Sequence, residues 1–277
     1  MMLTVIPPVV DAAFLAAHPR AVVADVRWYL DGRDGRAAYE AGHLPCAVWV
    51  DLDRQLAAHD LPAIEGRHPF PTPDEFGAAM SALGIGNGSV VVAYDDTGGL
   101  TAGRLVVMLR MVGVDAAVLD GGLANWGGRV QQGWVEPAPA TFTAVPWPAD
   151  RFASADEAAA RAASGDAVLD ARSHERFTGA VTQIDPRPGH VPGARNAPWS
   201  AVLDGSGRIR PVDELLAHYE QLGVTVDEPA IAYCGSGVSA CMNIVALEHA
   251  GLPPARLYVA SWSGWSADPE RPAELGG

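Results

Sequence analysis

Cys234 is the side chain in this sequence best placed to act as a nucleophile. It ends the apolar run Ile231-Ala232-Tyr233 and opens the segment Gly235-Ser236-Gly237-Val238-Ser239-Ala240. The run reads as the end of a buried strand and the two glycines as a loop. Val238, Cys241, Val245, Ala246 and Leu247 then suit one broad helical face reaching about Ala250. A cysteine on such a turn faces a helix N-terminus, where free backbone N–H groups and the positive end of the helix dipole converge. A glycine-rich loop can curl those groups into an anion-binding nest. Such a site favours the thiolate, the nucleophilic form of cysteine. On spacing alone, a buried structural cysteine following a strand fits equally well.

Several chemistries open to a loop cysteine do not suit these neighbours. A cysteine phosphatase needs an arginine at the sixth position after the cysteine, and Ala240 stands there in a loop with no cation. A Cys-X-X-Cys redox pair would need a second cysteine at Gly237. Cys241 lies two helical turns deeper and reads as core. Metal binding requires clustered Cys and His, whereas the eight histidines are scattered, so no metal and no cofactor are expected. A cysteine protease is not excluded by spacing, but a small repeated domain matches that chemistry poorly.

The formal net charge of −14 over 277 residues argues against a nucleic-acid backbone or an anionic membrane as partner. The N-terminus, Met1-Met2-Leu3-Thr4-Val5-Ile6-Pro7-Pro8, lacks the basic flank and apolar core of a signal peptide. Three cysteines, Cys46, Cys234 and Cys241, do not make a disulfide framework and suit a reducing cytoplasm.

The elements that would position Cys234 occur twice. Asp25-Val26-Arg27 recurs as Asp170-Ala171-Arg172, Gly42-His43 as Gly189-His190, Tyr94 as Tyr233 and Trp126 as Trp265, always in the same order. In the first half, helices are expected over 11–17, 73–83 with Thr72 as N-cap, and 101–111. Strands are expected over 21–25, 89–94 and 117–119. The second half repeats this with helices over 155–163 and 211–222 and strands over 167–169 and 229–233. Alternating strands and helices imply an α/β fold of two tandem domains, each a small, largely parallel sheet with helices on both faces. The domains are read as 1–136 and 153–277, joined by a Pro-rich linker over 137–152. In parallel sheets, sites form beyond the carboxyl ends of strands, which is where Cys234 falls. The first half carries Asp95 in that place, and a carboxylate cannot do thiolate chemistry. The Gly-His segments, the Asp-Arg pairs and Trp126, Trp262 and Trp265 read as structural, and Cys46 is given no function.

Taken together, the Cys234-to-Ala240 loop, the two Gly-His segments and Trp262-Ser263-Gly264-Trp265 resemble the tandem rhodanese-domain sulfurtransferases along essentially the whole chain. Loops of the Cys-Gly-Ser-Gly-Val-Thr type are similar to those of members acting on 3-mercaptopyruvate, whereas thiosulfate-preferring members carry an Arg and a Lys where Gly235 and Ser236 stand. Ser239 replaces the usual Thr and keeps the hydroxyl. The resemblance implies a Cys234 persulfide, stabilised by the backbone of Gly235, Ser236, Gly237, Val238 and Ser239. The outer sulfur would pass to a thiol acceptor such as thioredoxin, or to cyanide. Arg176 and Arg187 match the arginines that hold the donor carboxylate. A Ser–His–Asp relay would comprise Ser236, Asp53 and either His68 or His59; His68 is chosen because it is Pro-flanked ahead of the Pro73 helix. Similar tandem enzymes are often monomers. Thiosulfate as donor, or a non-catalytic persulfide carrier, are the competing readings.

Overall fold

The computed structural model describes residues 6–185 and 187–277. Met1–Val5, part of the N-terminal reading, and Pro186 lie outside the described residues. The described chain forms two compact α/β units.

In the first unit, strands β1 (Val9–Val10), β2 (Val22–Asp25), β3 (Val48–Trp49), β4 (Val90–Tyr94) and β5 (Asp115–Leu119) pair in the order β1-β5-β4-β2-β3. Every pairing is parallel. The helices are α1 (Ala12–Ala17), α2 (Gly35–Ala41), α3 (Leu52–Gln55), α4 (Pro73–Ala82) and α5 (Ala102–Met111). Successive residues of β4, Val91 to Tyr94, are all fully buried, so both faces of the sheet are covered. Val92 and Tyr94 join Phe14, Leu15 and Trp126 in one apolar cluster. Thr72 caps α4 as expected, in a capping box with Glu75.

The second unit pairs β6 (Val168–Asp170), β7 (Arg195–Asn196), β8 (Ile231–Tyr233) and β9 (Arg256–Leu257) in the order β7-β6-β8-β9, again all parallel. Its helices are α6 (Ala155–Ala163), α7 (His174–Phe177), α8 (Val212–Gln221), α9 (Ala240–His249) and α10 (Ser261–Ala267). Ile231, Tyr233, Tyr258, Trp262 and Trp265 share one buried cluster.

The repeated motifs do the same work in both units. Arg27 Nη2 donates to Asp25 Oδ2 at 2.7 Å and to Gly42 O at 2.7 Å. Arg172 Nη2 donates to Asp170 Oδ2 at 2.6 Å and to Gly189 O at 2.8 Å. Each pair thus ties a strand end to its Gly-His loop. Tyr94 OH donates to Asp25 Oδ2 and accepts from Leu44 N, and Tyr233 OH accepts from Val191 N. Burial, and then the Asp170 charge, push the Tyr233 phenol well above its ordinary range, so it stays protonated.

The units do not divide at the linker alone. Residues 59–69 belong to the second unit and 204–209 to the first, while 137–148 pack with the first. In that stretch Trp147 Nε1 donates to Pro71 O and Phe142 packs edge-on against Phe76.

Candidate active site

The second unit gathers its reactive groups at the carboxyl end of β8. Cys234 is 1% exposed and its backbone is pinned to the start of α10. Its N–H donates to Ser261 Oγ at 3.1 Å, its carbonyl accepts from Trp262 N at 2.9 Å, and Gly235 O accepts from Ser263 N at 2.9 Å. The Trp262-Ser263-Gly264-Trp265 motif therefore anchors the cysteine loop, beyond the packing role read for its tryptophans. Gly237, at φ +76°, turns the loop through the left-handed region that glycine adopts without strain. Val238 is buried, its carbonyl accepts from Cys241 N, and Ser239 precedes the first residue of α9.

The matching loop of the first unit makes visible what such a turn holds. Asp95 is fully buried, and its carboxylate accepts from the backbone N–H groups of Thr97, Gly99, Thr101 and Ala102 at 2.8–3.0 Å, and from Thr101 Oγ1 at 3.0 Å. The strand–loop–helix turn here is an anion cradle with the anion supplied by the chain itself.

His68 and Ser236 meet in the second unit: Nδ1 and Oγ are hydrogen-bonded at 2.8 Å, and both residues are buried. His59 is exposed. The contact spans 168 residues of sequence and depends on the docking of the segment before His68 onto α10. Gly66, at φ +84°, lies against Ala260, where a Cβ would come within 2.5 Å of the carbonyl oxygen. A Cβ on Gly264 would collide with Ile64 O, and Arg67 N donates to Ser263 Oγ at 3.1 Å. Replacing Gly66 with Ala is expected to lift this segment, displacing Arg67 and His68 while leaving Cys234 in place. Displacements of this kind cost about 10²-fold, so steady-state kcat/KM should fall to that extent while the protein still unfolds cooperatively in urea.

Two guanidiniums cover the loop. A Cβ on Gly235 would lie 2.7 Å from Arg176 Nη2 and 2.9 Å from Arg67 Nη2. Both arginines reach back to one carboxylate. Asp185 Oδ2 accepts from Arg176 Nη2 at 2.6 Å and Nε at 3.1 Å, and Asp185 Oδ1 accepts from Arg67 Nη1 at 3.2 Å. Burial alone would raise the Asp185 carboxyl; Arg176, with Arg172 and Arg67, outweighs it and holds the group below the usual carboxylate range.

Arg187, expected beside Arg176, is held elsewhere. Its Nε donates to Ser266 O at 3.1 Å, its Nη1 to Arg271 O and its Nη2 to Asp268 O, both at 3.0 Å, satisfying carbonyls at and beyond the end of α10. Arg67 takes the place at the loop. Asp53 lies on α3 of the first unit, where Trp28 Nε1 donates to its Oδ2 at 2.8 Å. Arg67 and Asp185 are the residues sequence reasoning overlooked. The one signal for Arg67 was its position next to His68. Among the described residues no group of three or more His, Cys, Asp or Glu gathers as a metal site.

A parallel-sheet domain built twice, with a cysteine on one strand–loop–helix turn and a carboxylate on the other, is the arrangement of a tandem sulfurtransferase. Residues 13–129 and 154–268 each match the Rhodanese-like domain, and the chain belongs to that family. A Pseudomonas aeruginosa protein named as a probable 3-mercaptopyruvate sulfurtransferase is 40% identical over 271 residues, covering 94% of each chain. SseB of Mycobacterium tuberculosis, which carries the name of a thiosulfate sulfurtransferase, is 38% identical over 96% of this chain and 94% of its own. The crystal structure of SseA from Escherichia coli, described as a 3-mercaptopyruvate sulfotransferase, superposes with a TM-score of 0.81 at 31% identity, covering 93% of this chain and 99% of SseA.

Proposed function

We propose that the protein transfers a sulfane sulfur from 3-mercaptopyruvate to a thiol or cyanide through a persulfide on Cys234. The observation that carries this is the pair of guanidiniums, Arg67 and Arg176, lying over Gly235 beside the nucleophile. They fill the space a cationic loop side chain would need, and their planar forks suit a carboxylate.

In the first half-reaction the Cys234 thiolate attacks the donor sulfur. The carbon–sulfur bond breaks with its electron pair moving to carbon, giving pyruvate enolate, which takes up a proton to become pyruvate. The donor's thiol proton stays on sulfur, so the enzyme carries Cys234–S–SH. In the second half-reaction an acceptor thiol takes the outer sulfur and leaves as its own persulfide, or cyanide leaves as thiocyanate, and the Cys234 thiol is regenerated. Splitting the transfer in two is covalent catalysis. The loop backbone from Gly235 to Ser239 stabilises thiolate and persulfide, a role supported by the carboxylate cradled in the matching first-unit loop. The His68–Ser236 pair moves the proton that the enolate requires. Asp53 as third member of that relay rests on the family pattern.

The acceptor is a small thiol or a thioredoxin-like protein, the working form is a monomer, and the location is the cytoplasm. The free state of all three cysteines suits that compartment. Among the described residues no helix is long and apolar enough to cross a membrane.

The test is kcat/KM for 3-mercaptopyruvate and for thiosulfate with one common acceptor. A preference for mercaptopyruvate of about tenfold or more is expected. A preference for thiosulfate would assign the two arginines to a sulfonate. A single stoichiometric loading without turnover would make the protein a persulfide carrier.

A further inference from the structure

We propose that Asp185 sets the charge of the donor site and thereby selects a donor with one negative charge over a donor with two. This rests on the sulfurtransferase reading and adds a specificity determinant to it.

The Asp185 carboxylate is 4% exposed and contacts three arginines. One of them, Arg172, is already neutralised by Asp170 at 2.6 Å and lies 3.4 Å from Asp185. The Asp185 charge is therefore shared chiefly between Arg176, at 2.6 Å, and Arg67, at 3.2 Å. These are the two guanidiniums whose Nη2 atoms face Gly235. Two cations with one buried carboxylate between them leave a single positive charge for a donor. The loop from Gly235 to Ser239 adds none.

3-Mercaptopyruvate with its thiol protonated brings one negative charge and balances the cluster of Arg67, Arg176 and Asp185, while the Cys234 thiolate is held separately by the loop backbone. Thiosulfate brings two, and the second meets Asp185, a like charge already withdrawn from water. Asp185 also acts as a positioning residue. By accepting from both Nε and Nη2 of Arg176 it fixes the plane of that guanidinium.

The experiment uses the full chain with the substitutions Asp185→Asn and Asp185→Glu. Asn keeps the shape and removes the charge; Glu keeps the charge and disturbs the shape. The ratio of kcat/KM for thiosulfate to that for 3-mercaptopyruvate should rise about tenfold or more in Asp185→Asn, equivalent to about 1.4 kcal/mol. In Asp185→Glu it should stay within about twofold of the parent protein, even if both activities fall. An unchanged ratio in Asp185→Asn, or an equal rise in both variants, would overturn the proposal.

A second measurement depends on neither a variant nor turnover. Methanesulfonate and sulfate are close in size and differ by one charge. Calorimetric titration of the parent protein should find methanesulfonate bound at least as tightly as sulfate, and clearly tighter binding of sulfate would overturn the proposal. Failure of the parent protein to turn over either donor would instead remove the sulfurtransferase reading, leaving the anion comparison to judge Asp185 by itself.

Discussion

Cys234→Ser is expected to lower turnover of 3-mercaptopyruvate by about 10⁴-fold or more, on the scale observed when a covalent nucleophile is removed. The substitution is nearly isosteric at a site that is 1% exposed, and the backbone anchors to Ser261, Trp262 and Ser263 involve no side-chain atom of Cys234. The fold should therefore persist, with a change in stability of about 1 kcal/mol. A hydroxyl does not attack the donor sulfur, so no persulfide forms. Incubating the parent protein with donor alone should add the mass of one sulfur atom, removable by cyanide, and the variant should gain none. Retention of full activity would show that the sulfur passes through another group and would end both the Cys234 persulfide mechanism and the Cys234 carrier reading. Cys241 offers no substitute: it is fully buried and its Sγ already donates to Gly237 O at 3.3 Å.

What was legible in the sequence was local or periodic. The buried runs of β4 and β8, the N-cap at Thr72 and the repeated Asp-Arg pairs each have a short-range signature, and the structure builds them where those signatures fall. The two-residue strands β1 and β9 have no alternation to read, and four-residue helices such as α3 and α7 are too short to show a period. The site was harder because its contacts are long-range. Arg67 N and Ser263 Oγ are 196 residues apart in sequence. Repeat logic assigned 59–69 to the first half, and no compositional signal marks that this stretch packs into the second unit. Arg187 is singled out in the sequence by its match to an arginine that holds the donor carboxylate in similar enzymes. Its position is instead governed by carbonyls at the end of α10 that require a donor, a demand that exists only once the helix has formed.

The two arginines over the loop give the other large effect. Arg176→Gln and Arg67→Gln should each reduce kcat/KM for 3-mercaptopyruvate by about 10–100-fold, mostly through KM, since a charge-assisted hydrogen bond to a carboxylate contributes about 1.5–3 kcal/mol. Lysine should not rescue Arg176, because a single ammonium cannot donate to Asp185 from two fixed nitrogens and present a fork to the donor at once. The double variant should lose less than the product of the single losses if both groups hold one carboxylate. Arg187→Gln is the informative contrast. Among the described residues its guanidinium donates to the backbone carbonyls of Ser266, Asp268 and Arg271, so the expected loss is in thermal stability, with KM for the donor unchanged. A raised KM in Arg187→Gln, together with a normal KM in Arg67→Gln, would return the donor carboxylate to the arginine that the sequence pattern first suggested. The reverse result would mean that a side chain read only as the neighbour of His68 binds the donor, through the same docking of Gly66 on Ala260 that brings His68 to Ser236.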